Sequence, residues 1–208
     1  MKLMDFDGLF DEKLSQYMEE NKGKYTEKQW ENIIPRLYQK FGDTYVAKVK
    51  CTPKEYYARM TDEELTATLS VHLKEQIPVP DFLCCEIEGR NCTEALLSLL
   101  KSDDGETVSY AINLVGADER AFPDYFSMIT ENKFDEDIRD AAVEKLKENA
   151  DKATEAALKF YKEGTAKEYM LEILSRAKKR DEGIFRILLD EFLSDVGRVP
   201  MHAGYLAA

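Results

Sequence analysis

Residues 135–149 read DEDIRDAAVEKLKEN, with Ile138, Ala142, Val143 and Leu146 at the three- and four-residue spacing of one helical stripe and charged side chains on the rest of the turn. That pattern predicts an amphipathic helix. The neighbouring alanines, Ala141 and Ala142, need a further explanation. Alanine favours helix wherever it stands, which accounts for either residue alone. It does not account for a recurrence. Sliding the sequence against itself by 31 residues brings Ala111, Ala142, Ile173 and Gly204 into one column, and Ile112, Val143, Leu174 and Tyr205 into the next. A third column holds Val115, Leu146, Ala177 and Ala208. Small residues at a shared register let helix axes approach toward the short end of the usual range of about 8–10 Å, so Ala142 is read as a packing residue.

Working outward from this stretch, the chain from Cys92 onward reads as helical segments separated by short polar turns: TEALLSLLKS, GETVSYAINLVG, ERAFPDYFSMITEN, DEDIRDAAVEKLKEN, KATEAALKFYKEG, AKEYMLEILSRAKKR, EGIFRILLDEFLSD and RVPMHAGYLAA. They pair into hairpins. A fixed period of this length carried by helix pairs is the signature of an α-solenoid, in which each pair buries its apolar face against its neighbours. Tyr110, Phe126, Tyr161 and Phe185 are accordingly assigned to repeat cores.

Asp135 to Leu146 resembles the inner helix of a bacterial HEAT-like, armadillo-type repeat: an acid, a β-branched residue, an arginine (Arg139), a small residue and a leucine. The resemblance covers about residues 92–208, and in the other repeats the arginine is missing. It implies an all-α fold, a right-handed α-solenoid of about four antiparallel helix pairs with the last one incomplete, preceded by an N-terminal helical region over 1–91. For function it implies a protein interaction scaffold. The enzymatic branch of the class, exemplified by DNA glycosylases, requires a basic concave surface.

The charge argues against that branch. The chain carries a formal −12, and residues 102–151 hold 14 Asp/Glu against 5 Lys/Arg. Such a surface repels phosphate backbones, so no nucleic-acid partner is expected. The N-terminus MKLMDFDGLFDEK lacks the basic and continuously apolar regions of a secretory signal, and no apolar run reaches the length of a membrane span, so the expectation is a cytoplasmic protein without a membrane partner.

Residues 1–91 read as helices without a repeat. Leu9, Phe10, Leu14, Tyr17 and Met18 recur at helical spacing. Thr26 with Gln29, Thr52-Pro53 with Glu55 and Thr61 with Glu64 are helix starts of the capping-box kind. Pro35 is expected to kink or split the second helix. Ile77-Pro78-Val79-Pro80 forbids helix, and CCEIEGRNC after it reads as irregular connection.

Candidate chemistry is sparse. Adjacent Cys84 and Cys85 with Cys92, and His72 upstream, do not match the paired spacing of a zinc site, so Cys51, Cys84, Cys85 and Cys92 are expected to be reduced thiols and no metal or other cofactor is expected. The histidines, His72 and His202, stand in no triad or nucleophile-elbow context. Acid pairs at Asp103-Asp104, Asp118-Glu119 and Asp135 to Asp137 fall at helix starts, where carboxylates serve the helix dipole. The functional expectation is therefore a scaffold whose inner helices present Ser109, Asn113, Asp140, Glu144 and Glu172 to a protein partner bearing a basic segment. An enzyme or enzyme subunit, with a pocket containing His72 or the cysteines, is the alternative. The apolar ending Tyr205-Leu206-Ala207-Ala208 lacks the polar outer face of a capping repeat, which predicts either a longer array or self-association through the C-terminal helix.

Overall fold

Helix starts in this chain are written by short polar side chains, and the computed structural model places them as the sequence implies. It describes residues 3–90, 92–131, 133–179, 182–194 and 199–208. Thr52 Oγ1 accepts from Glu55 N at 3.1 Å while Glu55 Oε2 accepts from Thr52 N at 3.0 Å, and Thr61 with Glu64 repeats the exchange. Asp104, Asp118 and Asp135 each accept a backbone N–H two or three residues ahead, from Thr107, Arg120 and Ile138. These carboxylates are caps.

All regular structure among the described residues is helical, apart from one isolated antiparallel bridge between Val46 and Cys51. The helices are α1 (Phe6–Glu20), α2 (Glu27–Gly42), α3 (Pro53–Ala58), α4 (Asp62–Lys74), α5 (Asp81–Arg90), α6 (Thr93–Leu99), α7 (Gly105–Val115), α8 (Phe122–Thr130), α9 (Glu136–Glu148), α10 (Ala150–Glu163), α11 (Lys167–Ser175), α12 (Glu182–Ser194) and α13 (Val199–Ala207). The chain divides into two compact units, Met1–Ala95 and Leu96–Ala208.

The first unit is held by aromatic side chains. Phe6 and Tyr57 are buried edge to face with ring centroids 5.7 Å apart, Phe10 meets Tyr38 at 4.9 Å, and Tyr38 stacks on Phe82 at 4.5 Å with ring planes 4° apart. A Cβ on Gly42 would lie 2.6 Å from the Phe82 ring, so only glycine fits where α2 ends. One expectation is corrected here, and of the two outcomes expected at Pro35 one is excluded. CCEIEGRNC is not an irregular connection: residues 81–90 form α5, started by Asp81 after the proline-bound stretch, burying Phe82, Leu83 and Ile87, and tied by a Glu86–Arg90 pair at 2.6 Å. Pro35 does not split α2, which runs unbroken from Glu27 to Gly42. Pro35 and Glu31, four residues earlier, both lie on the exposed face, where water can serve the carbonyl that the missing N–H leaves without its helical donor.

Arg90 closes this unit's α3. Its guanidinium donates at 2.5 Å to the carbonyl of Ala58, the last residue of α3, and at 2.5 Å to that of Met60 in the turn that follows. Arg90→Ala leaves these carbonyls without a fixed charged donor and should lower stability by about 2 kcal/mol, measured by denaturant unfolding. Arg90→Lys, which lacks the fork, should recover less than half of that.

In the second unit the helices pack in a regular order. α8 lies against α9, α10 against α11 and α12 against α13, while α7, α9, α11 and α13 touch in sequence. Inner helices α7, α9 and α11 begin at Gly105, Glu136 and Lys167, 31 residues apart. The columns seen in the sequence are interior in part: Ala111, Ala142, Ile173, Ile112 and Leu174 are 0 % exposed, whereas Val115 and Tyr205 are half-buried and Gly204 and Ala208 are exposed. Contacts between successive pairs join residues about one period apart. Phe126 of α8 meets Phe160 of α10 at 5.4 Å, Tyr161 Oη donates to Glu191 Oε1 at 2.5 Å, and Asp151 Oδ1 accepts from Lys178 N at 2.8 Å. Phe185, assigned from sequence to the repeat core, is instead 46 % exposed.

Ala142 is 0 % exposed on α9, which packs against α7, α8 and α11. Ala142→Leu should destabilise the fold by roughly 1–3 kcal/mol through overpacking, read as a lowered melting temperature. Asn113→Leu, an exposed change on α7, should move it by far less.

Candidate functional site

Two carboxylates one turn apart on α9, Glu136 and Asp140, face two on α11, Glu168 and Glu172, spaced the same way. The two pairs line one groove of about 720 Å³, whose remaining wall is Tyr169, Pro200, Met201 and Tyr205. Met201 is 41 % exposed. The groove thus has an acidic rim and an apolar, partly aromatic wall from α13.

The bland origin of these acids covers only part of the set. Glu136 and Glu168 lie in first turns, where the helix dipole favours a negative charge. Asp140 and Glu172 lie a turn further on, out of reach of that effect, and like charges at i and i+4 cost a helix a few tenths of a kcal/mol. The cations nearby are already engaged. Lys147 Nζ bridges Glu144 at 2.6 Å and Glu172 at 2.5 Å, linking α9 to α11. Burial opposes the Lys147 charge, but the hydrogen bonds to Glu144 and Glu172 outweigh it and raise its pKa. Arg139 lies over the Tyr169 ring at 5.8 Å. Burial, reinforced by neighbouring Asp140, pushes the Tyr169 phenol upward.

Of the five residues singled out from sequence, Asp140 and Glu172 line this groove and Glu144 joins it through Lys147. Ser109 and Asn113 lie on α7, where Asn113 Nδ2 donates to Ser109 O at 3.1 Å, and they are not part of the groove wall. Asn113, Asp140 and Glu144 are exposed, whereas Ser109 and Glu172 are half-buried rather than fully outward. Glu136, Glu168, Tyr169, Met201 and Tyr205 were missed. Their signal was present in the chain as acids at i and i+4 repeated at an offset of 32 residues, 136/140 and 168/172.

The groups proposed for chemistry are enclosed. His72 is 1 % exposed, with Nδ1 2.9 Å from Pro78 O and Nε2 buried without a partner. His202 is 2 % exposed between Glu191 O at 3.1 Å and Glu168 Oε2 at 3.4 Å. Cys51 and Cys92 are buried. Burial, with Glu88 adding, pushes the Cys84 thiol up to about 11, and burial with Asp62 beside it does the same for Cys92, so neither supplies a thiolate nucleophile near neutrality. Cys85 is exposed at the edge of a groove of about 1080 Å³ in the first unit, beside Tyr38, Phe82 and Asp81. Among the described residues no three His, Cys, Asp or Glu side chains form a group that could hold a metal ion, and no helix is long and apolar enough to cross a membrane.

Comparison with known proteins supplies no relative: no family model matches the chain, and neither does any curated protein or solved structure.

In the first unit Tyr38 Oη donates to Asp7 Oδ1 at 2.6 Å. Burial raises the Asp7 pKa above the ordinary carboxylate range, the Tyr38 hydrogen bond pulls it back in part, and Asp81, Asp5 and Asp11 raise it further. A carboxyl raised in the folded state favours folding most when protonated, and that contribution is lost as pH rises through the folded value. Asp7→Asn keeps an acceptor for Tyr38 and removes the charge. It should raise the melting temperature near pH 7, with the gain shrinking to nothing near pH 3, followed by thermal unfolding across that range.

Proposed function

We propose that this protein is an interaction scaffold whose second unit is a HEAT-like array, and that the groove between α9, α11 and α13 receives a protein segment carrying lysine or arginine together with a large apolar side chain. The observation that supports the reading is the convergence of Glu136, Asp140, Glu168 and Glu172 on a groove whose other wall is Tyr169, Met201 and Tyr205. Two features favour a polypeptide over a small cation. The carboxylates are spread over two helices, and the apolar wall offers contact area along a chain. The basic residues would set the approach rate and orientation, and the apolar side chain would supply the dehydrated contact.

The acidic surface that suits a basic segment works against nucleic acid, since counterion release gives attraction only where a protein brings cations to phosphate. An enzymatic role draws no support from His72, His202, Cys84 or Cys92, which are buried or half-buried and held by structural contacts.

The test is affinity capture from the source cells with the wild-type chain and with the quadruple variant Glu136→Gln, Asp140→Asn, Glu168→Gln, Glu172→Gln, at about 50 and about 300 mM salt. A partner held by the wild type should be lost from the variant and weakened at higher salt, with affinity falling roughly 10- to 100-fold. A partner retained equally by both chains at both salts places recognition elsewhere and sinks the groove reading.

A further inference from the structure

The four carboxylates of the groove are not alike. On α11 each has a side-chain nitrogen of this chain beside it: Lys147 Nζ lies 2.5 Å from Glu172 Oε1, and His202 Nε2 lies 3.4 Å from Glu168 Oε2. On α9 both Glu136 and Asp140 are exposed, and among the described residues no ion pair reaches either. Arg139, the nearest cation in the sequence, lies over the Tyr169 ring at 5.8 Å and donates to Asp135 O at 3.4 Å. The Tyr169 hydroxyl beside Asp140 is neutral and leaves that charge uncancelled.

The order of the helices turns this difference into a direction. α11 touches α9 on one side and α13 on the other, so the groove runs from an anionic edge at Glu136 and Asp140, across α11, to the apolar edge at Met201 and Tyr205. Lys147 governs the middle. Its side chain is 11 % exposed and its ammonium holds Glu144 at 2.6 Å as well as Glu172, so it is anchored between α9 and α11. A cation that stops at Glu172 meets a carboxylate already compensated and an ammonium that repels it; one that reaches α9 meets neither obstacle. We infer that the bound segment crosses the three helices in extended form, its lysine or arginine on Glu136 and Asp140 and its apolar side chain against Met201 and Tyr205. Lys147 is the positioning residue that keeps the basic side chain from lodging midway. Neighbouring helix axes stand about 8–10 Å apart, and an extended chain advances about 3.3 Å per residue, so the basic and apolar residues of the segment are separated by about five residues. The inference rests on the groove reading and adds to it an orientation and a spacing.

Fluorescence anisotropy with the full chain tests it, using two fluorescein-labelled peptides that each carry a lysine pair and a tryptophan, separated by about five serines in one and by a single serine in the other. The long-spacer peptide should bind about tenfold more tightly. Glu136→Gln with Asp140→Asn should weaken it about tenfold, and at least threefold more than Glu168→Gln with Glu172→Gln does. Lys147→Met restores the charge of Glu172, so it should tighten the short-spacer peptide about threefold and shrink the preference between the two; adding Glu172→Gln should abolish that gain. A lysine that only braces the helices would instead weaken both peptides when removed. The spacing preference and the comparison of the two edges stand whether or not the Lys147 variant folds. Equal affinity for the two peptides, equal losses from the two edges, or weaker binding of both peptides to a folded Lys147→Met chain would overturn the inference and leave the groove reading intact. Undiminished binding of the long-spacer peptide to the quadruple groove variant would overturn both.

Discussion

A pair of short helices cannot bury its own apolar stripe, and in the second unit α7, α9, α11 and α13 meet that constraint by packing against one another in sequence. Ala111, Ala142 and Ile173 lie fully buried at equivalent positions of α7, α9 and α11. Once α7, α9 and α11 meet at equivalent positions, Phe126 falls opposite Phe160, Tyr161 opposite Glu191 and Asp151 opposite the turn after α11. The local helix signals are weak by comparison. α8 and α11 have nine residues each, too few to be stable alone, so packing rather than propensity keeps them formed.

The groove depends on the same helix packing. Acids one turn apart are unremarkable on one exposed helix, but α11 beside α9 brings a second pair, offset by 32 residues, to the same groove. Lys147 relieves the far end of this charge by bridging Glu144 and Glu172. Glu168 meets His202 Nε2 at 3.4 Å, and the rest of the wall near Glu136 and Asp140 is Tyr169, Met201 and Tyr205.

The first unit is stabilised differently. It has no period to exploit, and its packing relies on a few large rings whose edges and faces interlock, with Phe6, Tyr57 and Phe82 near the centre. Arg90 substitutes for sequence-local capping by carrying a charged donor from α5 to the carbonyls ending α3, thirty residues away in the chain. A distant partner of this kind leaves no short-range pattern, which is why CCEIEGR, residues 84–90, reads as loop in isolation and is helix in the fold.

By itself the sequence determined the all-helical class, the capping residues Thr52, Thr61, Asp104 and Asp135, the 31-residue period and the interior columns through Ala142 and Val143, because each of these is written in spacings of two to four residues or in a repeat of them. Three of its five outward residues, Asp140, Glu144 and Glu172, also belong to one constellation. Only the tertiary structure decided that Ser109 and Asn113 stand apart from the other three, that Glu136 and Glu168 complete the acidic rim, that His202 is buried against Glu168, and that Phe185 is bare. Each of those depends on which helix lies beside which, and side chains about thirty residues apart meet only when the packing of whole helices brings them together.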